Sequence, residues 1–215
     1  MRLGIYGGSF DPVHNAHLAV ARACQQQARL DEIWFTPTAL QPLKQHGPQA
    51  SDAERIEMLR LAVEAEQSEP GRPDSAELAE VRPRPTFRVC TMEIDRGGLS
   101  YTVDTLRQLR QEIPDDDLFF LMGADALQDV PNWREPDIMF SLATPLVVRR
   151  AGQPEPDLSA LAKLCAAELQ PEFIELPAME ISSSDIRRRI AAGEPIDHLV
   201  PRSVSQYIDA HALYR

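Results

Sequence analysis

The N-terminal stretch of the chain restricts the fold more than any other part of the sequence. Leu3–Tyr6 is a short apolar run typical of a buried strand, and Gly7 and Gly8 follow it directly. Further along, Leu18–Ala23 has the composition of a helix. A strand, a glycine-containing turn and a helix start form a phosphate site, because N–H groups at the helix start point at an anion and glycine lets the backbone approach it. This order predicts an α/β fold with a phosphate at its first turn.

The rest of the chain alternates strand-like and helix-like patterns. Strands are predicted at Glu32–Pro37, Thr86–Cys90, Leu118–Met122, Leu146–Val148 and Phe173–Leu176. Helices are predicted at Ser51–Glu66, Thr102–Leu109, Leu158–Glu168 and Ser184–Ala192, with a last one from about Ser203. The run at 118–122 is wholly apolar, which is typical of a parallel strand covered on both faces. We therefore predict a Rossmann-like, doubly wound parallel sheet with helices on both faces and ligands at the carboxyl ends of its strands.

The sequence predicts one domain over residues 1–215, with the helices from about residue 184 packing as a C-terminal extension. It contains no internal repeat and no convincing linker, and the proline-rich stretch 68–85 is interpreted as a surface loop. Two capping-box patterns, Ser51 with Glu54 and Ser203 with Gln206, mark predicted helix starts.

The composition argues against membrane proteins and nucleic-acid-binding proteins. No apolar run is long enough to span a membrane, and the apolar N-terminal stretch is too short for a secretory signal. A formal net charge of −11 disfavours a broad nucleic-acid interface, although a few local cations can still hold a small phosphorylated ligand. Three scattered cysteines without a C-x-x-C pair indicate a reduced, cytoplasmic protein.

Two histidines near the predicted helix start can supply the phosphate chemistry. The sequence has neither a G-x-G-x-x-G fingerprint nor a G-K-[ST] Walker ending. His14 and His17 lie about one helical turn apart, so two imidazolium groups on one face can clamp a phosphate as charge grows on it. A histidine near a helix start is more often structural or solvent-exposed, and Asp11, His14 and His17 also have the spacing of metal ligands. No H-E-x-x-H motif or further ligand cluster accompanies them, so no protein-held metal is predicted.

Gly7–His17 resembles the G-G-x-F-D-P-x-H-x-x-H signature of the nucleotidyltransferase superfamily with the [HT]-x-G-H-type site. Ile181–Arg187 matches a second signature of that superfamily, I-S-S-[ST]-x-I-R. Alone, the second stretch is a serine-capped helix with a solvated arginine. Paired with the first, its hydroxyls, its helix-start N–H groups and Arg187 suit the β- and γ-phosphates of ATP. The resemblance implies adenylyl transfer from ATP, with ATP bound by Gly7, Gly8, Ser9, Phe10, His14, His17, Ile181, Ser182, Ser183, Ser184 and Arg187.

The middle of the chain indicates one branch of this superfamily. Ser100–Leu106, which follows Glu93–Arg96, resembles the S-Y-T-x-x-T-L segment of bacterial nicotinate-nucleotide adenylyltransferases. Gly123–Leu127 with Trp133 downstream resembles the same family, and Arg149 fits its strand-end arginine. The similarity extends over nearly the whole chain. It implies that ATP and nicotinic acid mononucleotide react to give deamido-NAD and pyrophosphate, a step of NAD biosynthesis.

The residues suit the roles that the resemblance implies. Trp133 offers a flat ring for stacking on the pyridinium, and Tyr101 and Thr102 offer hydroxyl or backbone donors to the nicotinate carboxylate. Asp125, at the end of a predicted strand, can accept hydrogen bonds from both ribose hydroxyls of the adenosine. Without the family pattern, Trp133 is interpreted as packing and Asp125 as a helix cap. The predicted set is completed by Gly123 on the ATP side and by Thr105 and Arg149 on the nicotinate-nucleotide side.

The implied reaction needs no deprotonating base and no covalent intermediate, because the attacking phosphate monoester is already largely ionised at neutral pH. Catalysis is expected from positioning and charge neutralisation. His14 and His17 are assigned to the α-phosphate, with Lys44 and Arg187 assisting the phosphates. Mg²⁺ is expected to bridge the ATP phosphates without a dedicated protein cage. The family often has a histidine directly before the loop lysine, whereas this chain has Leu43 there.

Three alternatives stay open. Pantetheine-phosphate adenylyltransferases and related cytidylyltransferases share the first motif, but the S-Y-T-x-x-T-L and G-A-D segments argue against them. A non-catalytic nucleotide sensor on the same fold would not need His14, His17, Lys44 and Arg187 together. A metal-dependent hydrolase built on Asp11 and the two histidines is the third. The sequence leaves the oligomeric state open, a homo-oligomer included.

Overall fold

The computed structural model describes residues 1–42, 47–68, 86–150 and 171–215, and in addition Ser159 and Lys163. In these ranges the strands are β1 (Arg2–Gly8), β2 (Glu32–Pro37), β3 (Thr86–Val89), β4 (Asp117–Gly123), β5 (Thr144–Arg150) and β6 (Glu172–Leu176). The helices are α1 (Asn15–Gln27), α2 (Asp52–Ser68), α3 (Met92–Arg96), α4 (Thr102–Glu112), α5 (Pro136–Leu142), α6 (Ser183–Ala191) and α7 (Arg202–Ala210). Two 3-10 turns, Ala124–Gln128 and Val130–Asn132, follow β4.

The six strands form one sheet in the order β3-β2-β1-β4-β5-β6, and every neighbouring pair is parallel. The chain builds outward from β1 to one edge and then from β4 to the other. α1 follows β1 on one face of the sheet, whereas α5 follows β4 on the opposite face. The place between β1 and β4 is therefore the topological switch point, where ligands bind in sheets of this kind. The predicted doubly wound parallel sheet is confirmed.

Two apolar cores lie on opposite faces of the sheet. The side chains of β4 alternate between them: Phe119 and Leu121 pack with α1, α2 and α7, whereas Leu118, Phe120 and Met122 pack with α4 and α5. A strand covered on both faces needs an apolar residue at every position. This explains why the run lacks the alternation of a half-exposed strand.

Two helix starts test the capping-box patterns. Ser51 and Glu54 form the predicted box before α2: the N–H of Ser51 donates to Glu54 Oε2 at 2.7 Å, and the N–H of Glu54 donates to Ser51 Oγ at 3.3 Å. The second predicted box is wrong. α7 begins at Arg202, and the Ser203 hydroxyl donates instead to the carbonyl of Leu61 in α2 at 3.2 Å. That serine links the last helix to α2.

The short elements α3, α5 and the two 3-10 turns were not predicted, because one or two turns give too few positions for a helical period. The predicted helix Leu158–Glu168 lies outside the described residues apart from Ser159 and Lys163, which are helical. Residues 69–85 of the proline-rich stretch also lie outside them. In the part of the chain that is described, no helix is long and apolar enough to cross a membrane.

Candidate active site

The turn after β1 packs on a buried aromatic ring. Gly7 and Gly8 are the last residues of β1, paired with Thr36 and Pro37 of β2, and so precede the turn instead of forming it. Phe10 has a positive φ of 47° and is 1% exposed. A Cβ at Gly8 would lie 3.0 Å from Phe10 Cζ, which explains the glycine at this position. The side chain of Phe10 therefore shapes the predicted ATP site from within the core.

The structure brings the two histidines together as stacked rings. The ring centroids of His14 and His17 are 3.6 Å apart, with an interplanar angle of 22°. His14 lies directly before α1, and its backbone N–H donates to Nδ1 of His17 at 3.2 Å. Because Nδ1 accepts this bond, the ring proton of neutral His17 is assigned to Nε2. Nε2 is thus the donor that His17 can offer to a phosphoryl oxygen.

Burial changes the charge expected of His14. The residue is 5% exposed, and the loss of solvent lowers its pKa to about 4. His14 is therefore neutral in the ligand-free protein at neutral pH, and the imidazolium expected against a bound phosphate stays a prediction. Its neutral ring carries a single N–H, which can donate an ordinary hydrogen bond to a phosphoryl oxygen. A bound phosphate would raise the pKa again, because a nearby negative charge favours the protonated ring.

Asp11 links the turn to three distant segments. Its side chain is 4% exposed and lies 3.6 Å from Arg187 of α6. The carboxylate accepts the N–H groups of Gln49 at 2.8 Å and Ala50 at 3.1 Å, which belong to the loop after β2. The hydroxyl of Tyr214 donates to Asp11 Oδ1 at 2.8 Å. These partners disfavour the alternative in which Asp11 is a metal ligand, and the described ranges contain no group of three or more His, Cys, Asp and Glu that could hold a metal.

The serine-rich helix start docks on the same turn. Ser182 caps α6 by accepting a backbone N–H of the first turn at 3.2 Å. The Ser183 hydroxyl donates to the carbonyl of Pro12 at 2.9 Å. Arg187 Nη1 donates to the carbonyl of Asp11 at 2.6 Å. The two motifs, far apart in the sequence, therefore lie side by side in the structure.

A cavity of about 270 Å³ opens at the carboxyl ends of β1 and β4. The structure brings Tyr101, Thr102, Thr105 and Trp133 together in its wall. Tyr101 directly precedes α4, and the N–H groups in the first turn of a helix have no carbonyl partner within that helix. A carboxylate fits such N–H groups. The Trp133 ring stands edge-on to Phe120, with 6.1 Å between the centroids, and gives the cavity an aromatic side.

A second cavity of about 180 Å³ lies beside the first. The two share Tyr6, Met122 and Gly123 in their walls. Asp125 and Ile181, both predicted to bind ATP, line the smaller cavity together with side chains of α1. Of the predicted ATP residues, Gly123, Asp125 and Ile181 thus line the smaller cavity, whereas Gly7 and Gly8 line the larger one, which adjoins it at the switch point.

One predicted residue lies apart from these cavities, and another lies outside the described residues. Arg149, at the end of β5, forms an ion pair with Glu175 of β6 and lines neither cavity. Lys44 lies outside the described residues, as do Leu43 and His46. The roles of Arg149 and Lys44 stay predictions.

Arg55 was not predicted, although it joins two loops of the site. Its side chain is fully buried. Nη1 donates to the carbonyl of Ser9 and Nη2 to that of Thr38, each at 2.7 Å, and Nη2 also donates to Asp52 at 2.6 Å. The sequence signal was its place one turn before Leu59 in the apolar stripe of α2. A cation in such a stripe must find buried acceptors, and here they are the carbonyls that follow β1 and β2.

A second unpredicted group supports the start of α4. Glu93 is 5% exposed, and its Oε1 accepts the hydroxyl of Thr105 at 2.7 Å. Arg96 Nη2 donates to the same hydroxyl at 2.8 Å. Burial raises the pKa of the Glu93 carboxyl. Thr105 is therefore held from both sides, which gives a physical reason for its spacing from Glu93 and Arg96.

Arg134 is a further cavity residue that sequence reasoning missed. Its guanidinium lies 4.7 Å from the centre of the Tyr101 ring, and it lines the larger cavity next to Trp133. Its position directly after the tryptophan was the available signal. Its charge is paired with Asp104 and Glu135, so it adds guanidinium N–H donors, and no net positive charge, to the edge of the cavity.

Known proteins resemble the chain over its length. The model of the cytidylyltransferase-like family matches residues 5–189, a span that includes the histidine turn and most of α6. The chain therefore belongs to this family of nucleotidyltransferases.

Similar proteins of known name show to which branch of the family the chain belongs. A probable nicotinate-nucleotide adenylyltransferase of Citrifermentans bemidjiense is 37% identical over 100% of this chain and 98% of the relative. The nicotinate-nucleotide adenylyltransferase of Bacillus subtilis is 35% identical over 99% and 98% of the two chains. Nicotinic acid mononucleotide adenylyltransferase of Plasmodium falciparum, solved in complex with APC, shares the fold with a TM-score of 0.75 at 20% identity, covering 99% of this chain and 96% of that one. Within the larger family, the chain belongs to the nicotinate-nucleotide adenylyltransferases.

Proposed function

We propose that the chain transfers the adenylyl group of ATP to the phosphate of nicotinic acid mononucleotide, giving deamido-NAD and pyrophosphate. The observation that carries this proposal is the pair of cavities that meet at Tyr6, Met122 and Gly123. The ring centroid of His17 lies 6.0 Å from that of Tyr6, so the histidine pair stands beside the junction. Two substrates whose phosphates react with each other need adjoining sites of this kind. Between the sites they need a group that can donate a hydrogen bond to a phosphate.

ATP fits the smaller cavity and the neighbouring helix start. Asp125 would accept hydrogen bonds from the ribose hydroxyls in this cavity. The β- and γ-phosphates would meet the backbone N–H groups of Ser183 and Ser184, the Ser184 hydroxyl and Arg187, while the Ser183 hydroxyl stays on the carbonyl of Pro12. The α-phosphate would then lie at the stacked histidines.

Nicotinic acid mononucleotide fits the larger cavity. Its pyridinium ring would stack on Trp133, and its carboxylate would face Tyr101, Thr102 and the N–H groups that begin α4. A carboxylate is favoured over an amide by these donors, since an anion accepts stronger hydrogen bonds from N–H and O–H groups than a neutral amide does. The phosphate end of the nucleotide would point to the junction.

The chemical step is an in-line displacement. A phosphate oxygen of nicotinic acid mononucleotide forms a bond to the α-phosphorus of ATP, while the bond from that phosphorus to the bridging oxygen of pyrophosphate breaks. The attacking oxygen is already ionised, so no side chain removes a proton. His17 would donate from Nε2 to the growing charge on the α-phosphate, and Arg187 would neutralise the leaving group. Lys44 is proposed to assist the same phosphates.

Mg²⁺ is proposed to enter with ATP as part of the substrate. Since the described residues contain no group of three or more metal-ligating side chains, phosphate oxygens and water would supply its ligands, as is usual for this ion. When bound, it supplies charge neutralisation to the phosphates. We also propose a cytoplasmic location, consistent with the unpaired thiols of Cys24 and Cys90.

A pyrophosphate-release assay tests the proposal. The protein is incubated with ATP and Mg²⁺ and with nicotinic acid mononucleotide, its amide or phosphopantetheine as acceptor, and a sample without acceptor gives the background. We expect the highest kcat/KM with nicotinic acid mononucleotide. Preference for phosphopantetheine would favour the pantetheine-phosphate rival, and release above background with none of the three would contradict the proposal.

A further inference from the structure

The last residues of the chain return to the first turn. After α7 ends, the N–H of Leu213 donates to the carbonyl of Ile208 at 3.1 Å. Tyr214 follows with a positive φ of 63°, a backbone conformation that is uncommon for tyrosine. Its hydroxyl donates to Asp11 Oδ1 at 2.8 Å. A strained backbone next to the end of a chain persists only where surrounding contacts hold it, and this hydrogen bond is one of them.

Asp11 connects Tyr214 to Arg187, on the ATP side of the site. Arg187 Nη1 donates to its carbonyl at 2.6 Å and lies 3.6 Å from its carboxylate. Arg187 Nη2 donates to Ser184 Oγ at 3.3 Å. The guanidinium is thus held between Asp11 on one side and the serine-rich helix start on the other. The Asp11 carboxylate is thus one of three groups, with the Asp11 carbonyl and the Ser184 hydroxyl, that set the direction in which Arg187 faces a phosphate.

We infer that Tyr214 is a positioning residue of the ATP site, because its hydroxyl, together with the N–H groups of Gln49 and Ala50, holds the carboxylate beside Arg187. The inference rests on the proposed function, in which Arg187 binds the phosphates of ATP. Tyr214 touches no substrate and acts through Asp11. Burial and the neighbouring charge of Asp11 raise the pKa of Tyr214, so its hydroxyl keeps its proton and remains a donor at neutral pH.

The ring and the hydroxyl of Tyr214 have separable effects. The ring packs against the apolar core on the α1 face, as Leu213 does. A residue that only anchored the C-terminus would act through this packing and would change stability alone. Tyr214→Phe keeps the ring and removes the hydroxyl, so it isolates the hydrogen bond to Asp11. Tyr207→Phe is the matched control, since Tyr207 lies in the same C-terminal region and its ring stacks on His211, 4.0 Å away.

The test measures binding of a non-hydrolysable ATP analogue by calorimetry, steady-state kinetics for both substrates, and the thermal unfolding midpoint. For Tyr214→Phe we expect the Kd of the analogue and the KM for ATP to rise about tenfold, the effect of losing a hydrogen bond to a charged group. The KM for nicotinic acid mononucleotide should stay close to wild type, and the unfolding midpoint should fall by a few degrees but stay well above the assay temperature. Tyr207→Phe should match wild type in every measurement.

Three results would overturn the inference. The first is an unchanged Kd for the ATP analogue in Tyr214→Phe. The second is an equal rise in KM for both substrates. The third is a loss of ATP binding that disappears when the measurement is made well below the unfolding midpoint of the variant. If instead the wild-type protein binds the analogue but transfers nothing to nicotinic acid mononucleotide, the proposed acceptor is wrong, and the comparison of Kd values still decides the role of Tyr214.

Discussion

The two sides of the site are held in different ways. On the ATP side, Asp11 and His14 are 3% and 5% exposed, and their surroundings come from the loop after β2, from α6 and from the C-terminus. On the nicotinate-nucleotide side, Glu93 and Thr105 are buried at the base of the cavity, but Trp133 and Arg134, which form its edge, follow a 3-10 turn near the surface. The ion pairs of Arg134, to Asp104 at 3.3 Å and to Glu135 at 3.6 Å, lie near the surface as well.

This difference separates two tasks. In-line transfer needs reacting groups held within a fraction of an ångström, and buried groups tied together from distant segments provide that. Recognition of the acceptor needs a ring to stack on and donors for a carboxylate, which short surface elements can present. Changes on the ATP side should therefore lower turnover or stability for every acceptor. Changes on the nicotinate-nucleotide side should act on the acceptor alone.

Replacing His17 is expected to have the largest effect. His17→Ala removes the Nε2 donor to the α-phosphate and should lower kcat by about 100-fold or more, as loss of one such donor does in other enzymes. The Kd for ATP should change little. Single-turnover rates together with direct ATP binding check this. Turnover like that of wild type would remove His17 from the mechanism.

Replacing Arg55 tests whether the ATP side depends on buried cross-links. Arg55→Met keeps much of the volume but leaves the carbonyls of Ser9 and Thr38 without their donor. The free energy of unfolding should fall by about 3 kcal/mol, the order expected when one partner of a buried charged group is removed. Urea denaturation measures it. Arg60→Met, at an exposed position of the same helix, should change stability little. Equal losses in the two variants would contradict the argument.

Replacing Trp133 tests the other side. Trp133→Ala should raise the KM for nicotinic acid mononucleotide by about tenfold, since an aromatic pair contributes on the order of 1 kcal/mol beyond the area that it buries. The KM for ATP in the same variant serves as the internal control and should not change. A KM for the mononucleotide equal to that of wild type would make Trp133 a packing residue.

The pH dependence of stability tests the burial of His14. An unfolded chain protonates this ring near pH 6.5 and the folded protein only near pH 4, so the unfolded state binds the extra proton between these values. The contribution of His14 to the free energy of unfolding is therefore fully present above this pH range and is lost as the pH falls through it. Between pH 6.5 and pH 5, wild type should lose about 1.5 kcal/mol more than His14→Gln. Urea denaturation at both pH values measures this, and His198→Gln, at an exposed position, should behave like wild type. Parallel losses in wild type and His14→Gln would show that His14 is solvated.

The sheet was predictable from the sequence because buried parallel strands leave continuous apolar runs such as that of β4. The histidine turn, the serine-rich helix start and the tryptophan were predictable because each has a short signature. Arg55 and Tyr214 have no signature of this kind. Their roles become visible only from tertiary contacts, because a buried arginine inside an apolar stripe and a tyrosine next to the chain end form no local pattern.

The charge of His14 shows the same limit. The sequence predicted an imidazolium from spacing, but the pKa depends on the depth at which the tertiary structure buries the ring. Arg149 shows the same limit for the direction in which a side chain points. Its place at the end of a strand was predictable, but its partner, Glu175 on the neighbouring strand, depends on the order of strands in the sheet.

The most direct test of the separation between transfer and recognition is the ratio of kcat/KM for nicotinic acid mononucleotide to that for its amide, measured in wild type and in His17→Ala. If the histidine turn performs transfer alone, both values fall in the variant and their ratio stays within about twofold of wild type, because a uniform loss of transition-state stabilisation cancels in the ratio. A ratio that falls toward one in His17→Ala would show that the turn also chooses the acceptor, and would contradict the account.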